Sequence, residues 1–509
     1  MININSTSKK SAIIVSYFVL LFNTLSSIFL TPILLKYMGV DEYGLYQMVY
    51  SVGSYILILD MGIGTLMIRY ISELRFKEDK RIESNFAGMI GILALVVCLI
   101  ISVGLKIIDV NIESIYSDLS ATDYSKSHMM LTLMIVQFVI TILANYLHGI
   151  INAYERFLLS KTLNLVQIIL SFGLTILFVT LGYGAVGIVL AHVIIAMLKM
   201  IVECYYVFKV LHFKIRLYYW DSTIIMPVIG LMLAIFLQNT VLYINTWSDK
   251  MILGIMCEKS DVAVYAIACT LITFYSSMTG ILSSLFQPQI VKMVVKKTDA
   301  KQLTDVVIRV GRWQFMLTGS ILAGMALFGR DFITLWVGEK MLRAWTIFLI
   351  ITPFMMIPLI QSVCISILNA LDKRLYRSLI LFLSSVINIL ITIVLIKQFG
   401  PLGAPVGTAI SYLLGHIIVL NIYYQRNIKL QVIRMFREIM SKTWLSILIT
   451  SLVCTPLLFW SKISIISFGI KCIIFGISIF VLQYFWGFNS EEKSIVDTML
   501  RKAKINVKV

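Results

Sequence analysis

Long apolar runs alternate with short polar breaks along the whole chain, and the runs themselves hold almost no acid or base. Each run is long enough, as a helix, to cross roughly 30 Å of hydrocarbon. They fall at about 12–35, 45–68, 86–108, 129–150, 162–181, 184–208, 223–246, 262–286, 313–330, 345–368, 378–396, 402–424, 443–460 and 464–486. Backbone groups in lipid have no water to pair with, so runs of this length are read as helices. The pattern therefore predicts an all-α polytopic membrane protein of about fourteen transmembrane helices.

Composition agrees. The 509 residues are 59% hydrophobic and only 14% charged, with a mean hydropathy of +0.92. A soluble domain is nearer half apolar and a quarter charged. No polar stretch is long enough for a separate soluble domain. The net charge of +17 would suggest nucleic acid in a soluble protein; here its sidedness matters more. With the N-terminus placed in the cytoplasm and the spans alternated, the inside segments hold 31 Lys and Arg and the outside segments 10, with Lys199 and Lys471 inside spans. That bias puts both termini in the cytoplasm and assigns the excess charge to contact with anionic lipid, with no nucleic-acid partner.

Lys9 and Lys10 precede the first run as in a signal peptide, but no small-residue cleavage site follows, so an uncleaved first span is expected. Cys98, Cys204, Cys257, Cys269, Cys364, Cys454 and Cys472 make no C-x-x-C pair and read as packing residues, with no disulfide or metal framework. The largest outer loop, about 109–127, carries Asp109, Glu113, Asp118 and Asp123 and is too small for a catalytic domain. Lys209–Asp221 mixes bases and aromatics like an interfacial linker. Nucleotide and hydrolase motifs are missing from the sequence. The expectation is therefore a non-enzyme without cofactor, driven by an ion gradient (Na⁺ or H⁺) or by consumption of its cargo.

The chain also resembles itself at a shift near 219. Gly39–Tyr46 aligns with Glu258–Tyr265, Ile151–Arg156 with Leu368–Lys373 through Asp372, and Gly184–Gly187 with Gly403–Gly407. Six spans separate the copies, so the halves point the same way. This predicts two parallel six-helix repeats, 1–215 and 216–430, followed by two extra helices and a cytoplasmic tail in 431–509. Transporters of this plan bind cargo between halves and rock them.

These same stretches carry a family likeness: Pro32–Gly39 with Glu42–Tyr46, Leu59–Thr65 with Arg69–Glu73, Asn152–Phe157, Leu181–Gly187, Asp249–Gly254 with Val264-Tyr265, Leu335–Gly338 and Asn369-Ala370. In them the sequence resembles the polysaccharide-transport branch, the O-antigen and capsule repeat-unit flippases, of the multidrug/oligosaccharidyl-lipid/polysaccharide flippase superfamily. The resemblance implies a flippase in the bacterial inner membrane. Its cargo would be an undecaprenyl-diphosphate-linked oligosaccharide, moved from the cytoplasmic to the periplasmic leaflet and passed to a polysaccharide polymerase machinery. A multidrug or metabolite cation antiporter of the same superfamily stays open as an alternative, as does a membrane enzyme of polysaccharide assembly.

A diphosphate needs cationic partners in a wet cavity, since moving such charge through hydrocarbon unaided costs on the order of tens of kcal/mol. The candidates are Arg69 at the inner end of span two, Lys199 deep in span six, Lys250 beside Asp249 after span seven, and Arg309 with Arg312, one turn apart at the start of span nine. Each has a bland reading: a topology anchor for the arginines, pairing with Glu203 or snorkelling for Lys199, and a loop pair for Lys250. Lys471, outside the repeat, reads as snorkelling. Asp60, near Gly62 and Gly64 with no base close by, is the ion-coupling candidate; a capping role is its alternative. His148, His192 and His416 read as hydrogen-bonded packing residues, with a proton relay as the alternative. Pro32, Pro353 and Pro358 mark bends or gates, and Tyr50, Tyr55 and Tyr243 could stack on sugars.

Overall fold

A computed structural model describes residues 6–76, 79–296, 298–371, 373–460 and 463–502. Asp372 of the repeat lies outside the described residues. Helix dominates and no strand occurs among the described residues. Among the described residues, twelve helical stretches are long and apolar enough to cross a membrane. Two of them, Leu25–Phe76 and Leu375–Asn427, run 52 and 53 residues and each holds two of the expected spans, so the architecture is the polytopic helical one. The backbone breaks both. Gly39 sits at φ 79° inside α1 (Ser6–Tyr55) and Gly400 at φ 61°, left-handed values that favour glycine.

Contacts divide the chain into two compact units, residues 1–266 and 267–509. The first contains α1, α2 (Ile63–Phe76), α3 (Lys80–Val110), α4 (Ile112–Ile115), α5 (Ala121–Ala153), α6 (Phe157–Thr180), α7 (Gly184–Tyr205) and α8 (Ser222–Met256). α5 packs on α2, α3 and α7, while α1 packs on α6 and α8. α9 (Lys259–Val295) begins in this unit.

Close approach of small residues holds the bundle, as expected where lipid removes the hydrophobic drive between helices. A side chain at Gly64 would lie 2.9 Å from the Asn145 carbonyl, and one at Gly149 would lie 2.5 Å from Met67 Cβ and 2.7 Å from the Gly64 carbonyl. α2 and α5 thus touch backbone to backbone.

Polar residues of the recurring sequence stretches join one another. Glu42 accepts the Ala185 amide at 3.0 Å, placing a carboxylate at the positive end of α7. Lys126 adds an ion pair to it at 3.0 Å. The Tyr265 hydroxyl donates to the buried carboxylate of Asp249. Two of the four acids in the 109–127 stretch are occupied as well. Asp109 bridges Lys106 and His128, at 2.6 and 2.7 Å, and Asp123 caps α5 with Ser120 and pairs with Lys259 at 2.6 Å.

The 211–221 linker is extended rather than helical. It is pinned to the start of α3 by Asn85, whose Oδ1 accepts the amides of Tyr218 and Tyr219 at 2.7 and 3.0 Å. Asp221 then caps α8. Its bonds from the Thr223 hydroxyl and amide hold its carboxyl below the ordinary carboxylate range.

The second unit is built on α10 (Ala300–Val337), α11 (Arg343–Ile360), α12 (Ser362–Ala370), α13 (Arg374–Phe399), α14 (Gly403–Ser411) and α15 (Leu420–Asn427). It continues through α16 (Val432–Met440), α17 (Thr443–Cys454), α18 (Ile465–Leu482) and α19 (Ser490–Lys502). The two extra C-terminal spans dock on α10. Phe328, Cys454, Phe475 and Ile479 form the apolar part of that contact. Lys471 does not snorkel: it is 2% exposed and donates to Asp331 at 2.7 Å and to the Trp460 carbonyl at 3.2 Å.

Arg312 makes the second polar anchor. Its guanidinium donates to both oxygens of buried Glu492, at 2.6 and 2.9 Å, and to the carbonyls of Glu438, Ser441 and Gly487. All five N–H bonds of the group are used.

This packing makes three stability predictions. Gly149→Ala should destabilise by about 1–3 kcal/mol through overpacking against α2, read as a lowered melting temperature in detergent; an unchanged melting temperature would refute the close approach. Glu492→Ala should cost about 3–5 kcal/mol because Arg312 is left buried and unpaired. Arg309→Ala, at an exposed side chain 3.7 Å from Glu491, should stay within about 0.5 kcal/mol. Chemical denaturation of the three proteins side by side checks the ranking.

Candidate functional site

Within the first unit a cavity of about 380 Å³ opens among α1, α5, α6 and α7. Its polar lining is Asn23, Ser26 and Ser27 with Tyr50 from α1, Gln137 and Thr141 from α5, Gln167 and Ser171 from α6, and His192 from α7. Three of these helices contribute an i, i+4 pair: Asn23/Ser27, Gln137/Thr141 and Gln167/Ser171. Such pairs share a face one turn apart, so each helix turns one polar stripe to the same space.

The Ser27 and Thr141 hydroxyls donate to the carbonyls one turn back, at 3.2 and 2.7 Å. Their lone pairs remain to face the cavity. Gln137 Oε1 and His192 Nδ1 are buried with no hydrogen-bond partner. Tyr50 meets His192 edge-on at 6.3 Å and Trp247 at 5.6 Å.

The volume has room for on the order of ten waters, and a polar space of that size fills with them. Leaving an amide oxygen and an imidazole nitrogen unpaired in a membrane-spanning bundle costs several kcal/mol each. These groups are therefore satisfied by water or by a hydroxylated guest. Among the described residues, the lining contains no Asp, Glu, Lys or Arg. The site can exchange neutral hydrogen bonds and stack an aromatic face, and it offers neither a counter-charge for a phosphate nor one for an organic cation.

The sequence candidates fall into two groups. Lys250 is not in an outer loop: it lies within α8, 7% exposed, donates to Gln47 at 3.1 Å and sits 4.7 Å over the Trp247 ring. Arg312 is the anchor described above. Arg309 is exposed, so the two arginines form no fork. Arg69 is exposed on α2, 5.7 Å from the Tyr70 ring.

Lys199 is half-buried and does not pair with Glu203, which bonds His148 instead. It stands seven residues after His192 on α7, which returns it to nearly the same face about 10 Å along the axis. Asp60 ends a 3₁₀ turn (Ile56–Asp60) followed by left-handed Met61 and Gly62, and its Oδ1 is buried without a partner. The helix is thus discontinuous at an unpaired carboxylate.

Sequence reasoning weighed Tyr50 as a stacking group and His192 as a packing residue or proton relay, and it missed the amide and hydroxyl lining. The repeated i, i+4 polar pairs within spans were the signal that could have found it.

Comparison with known proteins places this geometry. The family model described as polysaccharide biosynthesis protein matches residues 8–286, which includes the whole cavity. The probable low-salt glycan biosynthesis flippase Agl15 of Haloferax volcanii is 22% identical over 176 residues, covering 35% of this chain and 37% of that protein. The chain therefore spans little more than a third of that relative's length. The lipid II flippase MurJ, in an inward closed conformation, superposes with a TM-score of 0.71 at 14% identity, over 97% of this chain and 99% of that one. An inward-facing multidrug resistance MATE family transporter of the MOP superfamily gives 0.62 at 14% identity, over 82% and 96%. At these identities the structural likeness is one of fold, and it is to transport proteins rather than enzymes. With a family model matched over more than half its length, the chain belongs to the polysaccharide biosynthesis protein family.

Proposed function

We propose that this protein is a flippase that carries undecaprenyl-diphosphate-linked oligosaccharide units from the cytoplasmic to the periplasmic leaflet by alternating access. The observation that carries the reading is the neutral, hydrogen-bonding cavity inside a membrane-spanning bundle. A glycan presents many hydroxyls and no charge of its own at most positions. Amide, hydroxyl and imidazole groups replace its water one for one, and Tyr50 and Phe172 offer ring faces. The family match and the named likenesses to a glycan biosynthesis flippase and a lipid II flippase support the same cargo class.

The diphosphate carries about two negative charges and needs a cation. Lys199 is the best placed of the candidates, because it extends the cavity face of α7 beyond Ala196 and has no ion pair with Glu203. Arg69 and Arg309, both exposed, serve at the membrane surface. In this scheme Asp60, unpaired at the helix break, binds the coupling H⁺ or Na⁺. A broken helix with an unpaired carboxylate is a common form of ion site in transporters. A cation-exporting multidrug reading fits less well, because the described lining of the cavity holds no carboxylate to bind an organic cation.

The test is a deletion in the native host, followed by probing of the undecaprenyl-linked glycans with a sugar-specific lectin confined to the periplasm. Complete repeat units trapped on the cytoplasmic side, and released by restoring the gene, are expected. Units that reach the periplasm normally would overturn the reading, and altered drug or ion exchange alone would favour the antiporter.

In the restored strain, Gln137→Leu with His192→Phe should slow flipping about tenfold or more, since each lost hydrogen bond is worth about 1 kcal/mol. Lys199→Met should do the same. Asp60→Asn should abolish stimulation by an imposed ion gradient while leaving cargo binding in place; a gradient response equal to wild type would remove Asp60 from the mechanism.

A further inference from the structure

A second polar cluster lies outside the cavity, where α5, α6 and the end of α7 meet. His148 Nδ1 is 2.7 Å from Glu203 Oε1, and His148 Nε2 is 2.9 Å from the Ser160 hydroxyl. Glu203 is 0% exposed, Ser160 2%, and Glu203 Oε2 has no hydrogen-bond partner. The order hydroxyl–imidazole–carboxylate is that of a hydrolytic triad. A hydroxyl that is 2% exposed cannot reach a substrate as a nucleophile, so the chain of bonds must serve another end.

We propose that Glu203, His148 and Ser160 form a reversible proton-binding site. The geometry suits both protonation states. Without the extra proton, Ser160 donates to Nε2, the Nδ1–H donates to the carboxylate, and the cluster carries one negative charge. With it, imidazolium donates at both nitrogens, to Glu203 and to Ser160 Oγ, and the cluster is neutral. The proton is taken up on Nε2; no bond between heavy atoms changes, and only the Ser160 hydroxyl turns. The serine hydroxyl can give or receive, which a carbonyl or an amide could not do in the same place.

The surrounding charges make that difference felt. On α7, Lys199 stands one turn before Glu203, and Cys204 follows it. On α6, Lys161 adjoins Ser160; α2 carries Arg69, Glu73 and Arg75, and Arg75 is held by the Ala153 carbonyl at 2.7 Å and the Tyr154 ring at 4.2 Å. On α3, Glu83 is held by the Tyr154 hydroxyl at 2.9 Å. None of these bonds the cluster, so its charge is compensated from within when the proton is on. When the proton leaves, the uncompensated carboxylate attracts Lys199 at i−4. Proton binding therefore frees Lys199 for an anionic headgroup, a consequence that rests on the reading of Lys199 above. The proton site itself does not.

The experiment uses the full chain in lipid bilayers with ¹⁵N-labelled histidine, whose ring nitrogens report protonation by solid-state NMR. His148 is assigned among the five histidines by the loss of its signal in His148→Asn, or by its contact with labelled Ser160 if that variant does not fold. Spectra are taken from about pH 5 to about pH 9, and the His148 ring nitrogens are expected to move from the imidazole to the imidazolium pattern as the pH is lowered. In Glu203→Gln the imidazolium-to-imidazole ratio at a given pH should fall at least tenfold. A His148 signal constant across that range in folded wild-type protein overturns the site, as does a ratio unchanged in Glu203→Gln. The headgroup consequence is read separately, as binding of dodecyl diphosphate at several pH values. Binding that tracks His148 protonation in wild type and is lost in Lys199→Met supports the link. A His148 transition without any change in that binding leaves the proton site standing and removes Lys199 from the cargo reading.

Discussion

Every polar side chain inside this bundle must find a partner, because the bilayer supplies none, and that constraint sorts the molecule into frame and site. Most in-span charges obey it completely. Arg312 spends five donors on Glu492 and three carbonyls, Lys471 closes on Asp331, Lys250 lies between Gln47 and Trp247, and Asp249 receives the Tyr265 hydroxyl. These groups are finished, and they hold helices together. Ten buried side-chain atoms among the described residues have no partner: Ser54 Oγ, Thr175 Oγ1, Ser248 Oγ, the Tyr275 hydroxyl, Gln314 Oε1 and Arg377 Nε, and a second set at the places described above, Gln137 Oε1 and His192 Nδ1 at the cavity, Asp60 Oδ1 at the helix break and Glu203 Oε2 beside His148. Function is argued from the second set because partners outside the described side chains are still owed to it.

The same sorting explains what the sequence could and could not tell. Apolar run length gave the spans, since hydrocarbon thickness acts on length alone. The turn at Gly39 was readable as a loop between two runs, although the helix continues on both sides of it. Charge identity was a poor guide to site identity. Arg309 and Arg312 are one turn apart, yet one reaches solvent and the other is buried beneath α19, which only the fold of the distant C-terminus decides. Lys199 and Glu203, spaced for a pair, are separated because His148 on α5 reaches Glu203 first. The cavity escaped notice for a related reason: neutral amides and hydroxyls are unremarkable singly, and their convergence from four helices is a tertiary fact.

The stretches that carry the family likeness turn out to be largely frame. Glu42 meets the start of α7 at Ala185, and Asp249 meets Tyr265, so residues from separate likeness segments are partners. A fold shared with transporters of different cargo would keep such contacts whatever it carried. Cargo identity has to come from elsewhere, from the lining of the cavity and the charges along its edge.

Under the proposed function, that lining argues for a division of labour along α7. A cavity bearing fixed charge would hold a diphosphate firmly, and firm binding at depth opposes release on the far side. A neutral cavity exchanges water for sugar hydroxyls at nearly constant hydrogen-bond number, so the net free energy of entry stays small. The charged headgroup is then best met by a single cation at the end of the same face, where its hold can be switched by a neighbour's charge. His192, Ala196, Lys199 and Glu203 follow one another along that face at helical spacing, passing from neutral lining to cation to buried acid. In such a layout affinity for the glycan and affinity for the headgroup are set by different residues, and only the second changes with the protonation of a buried pair.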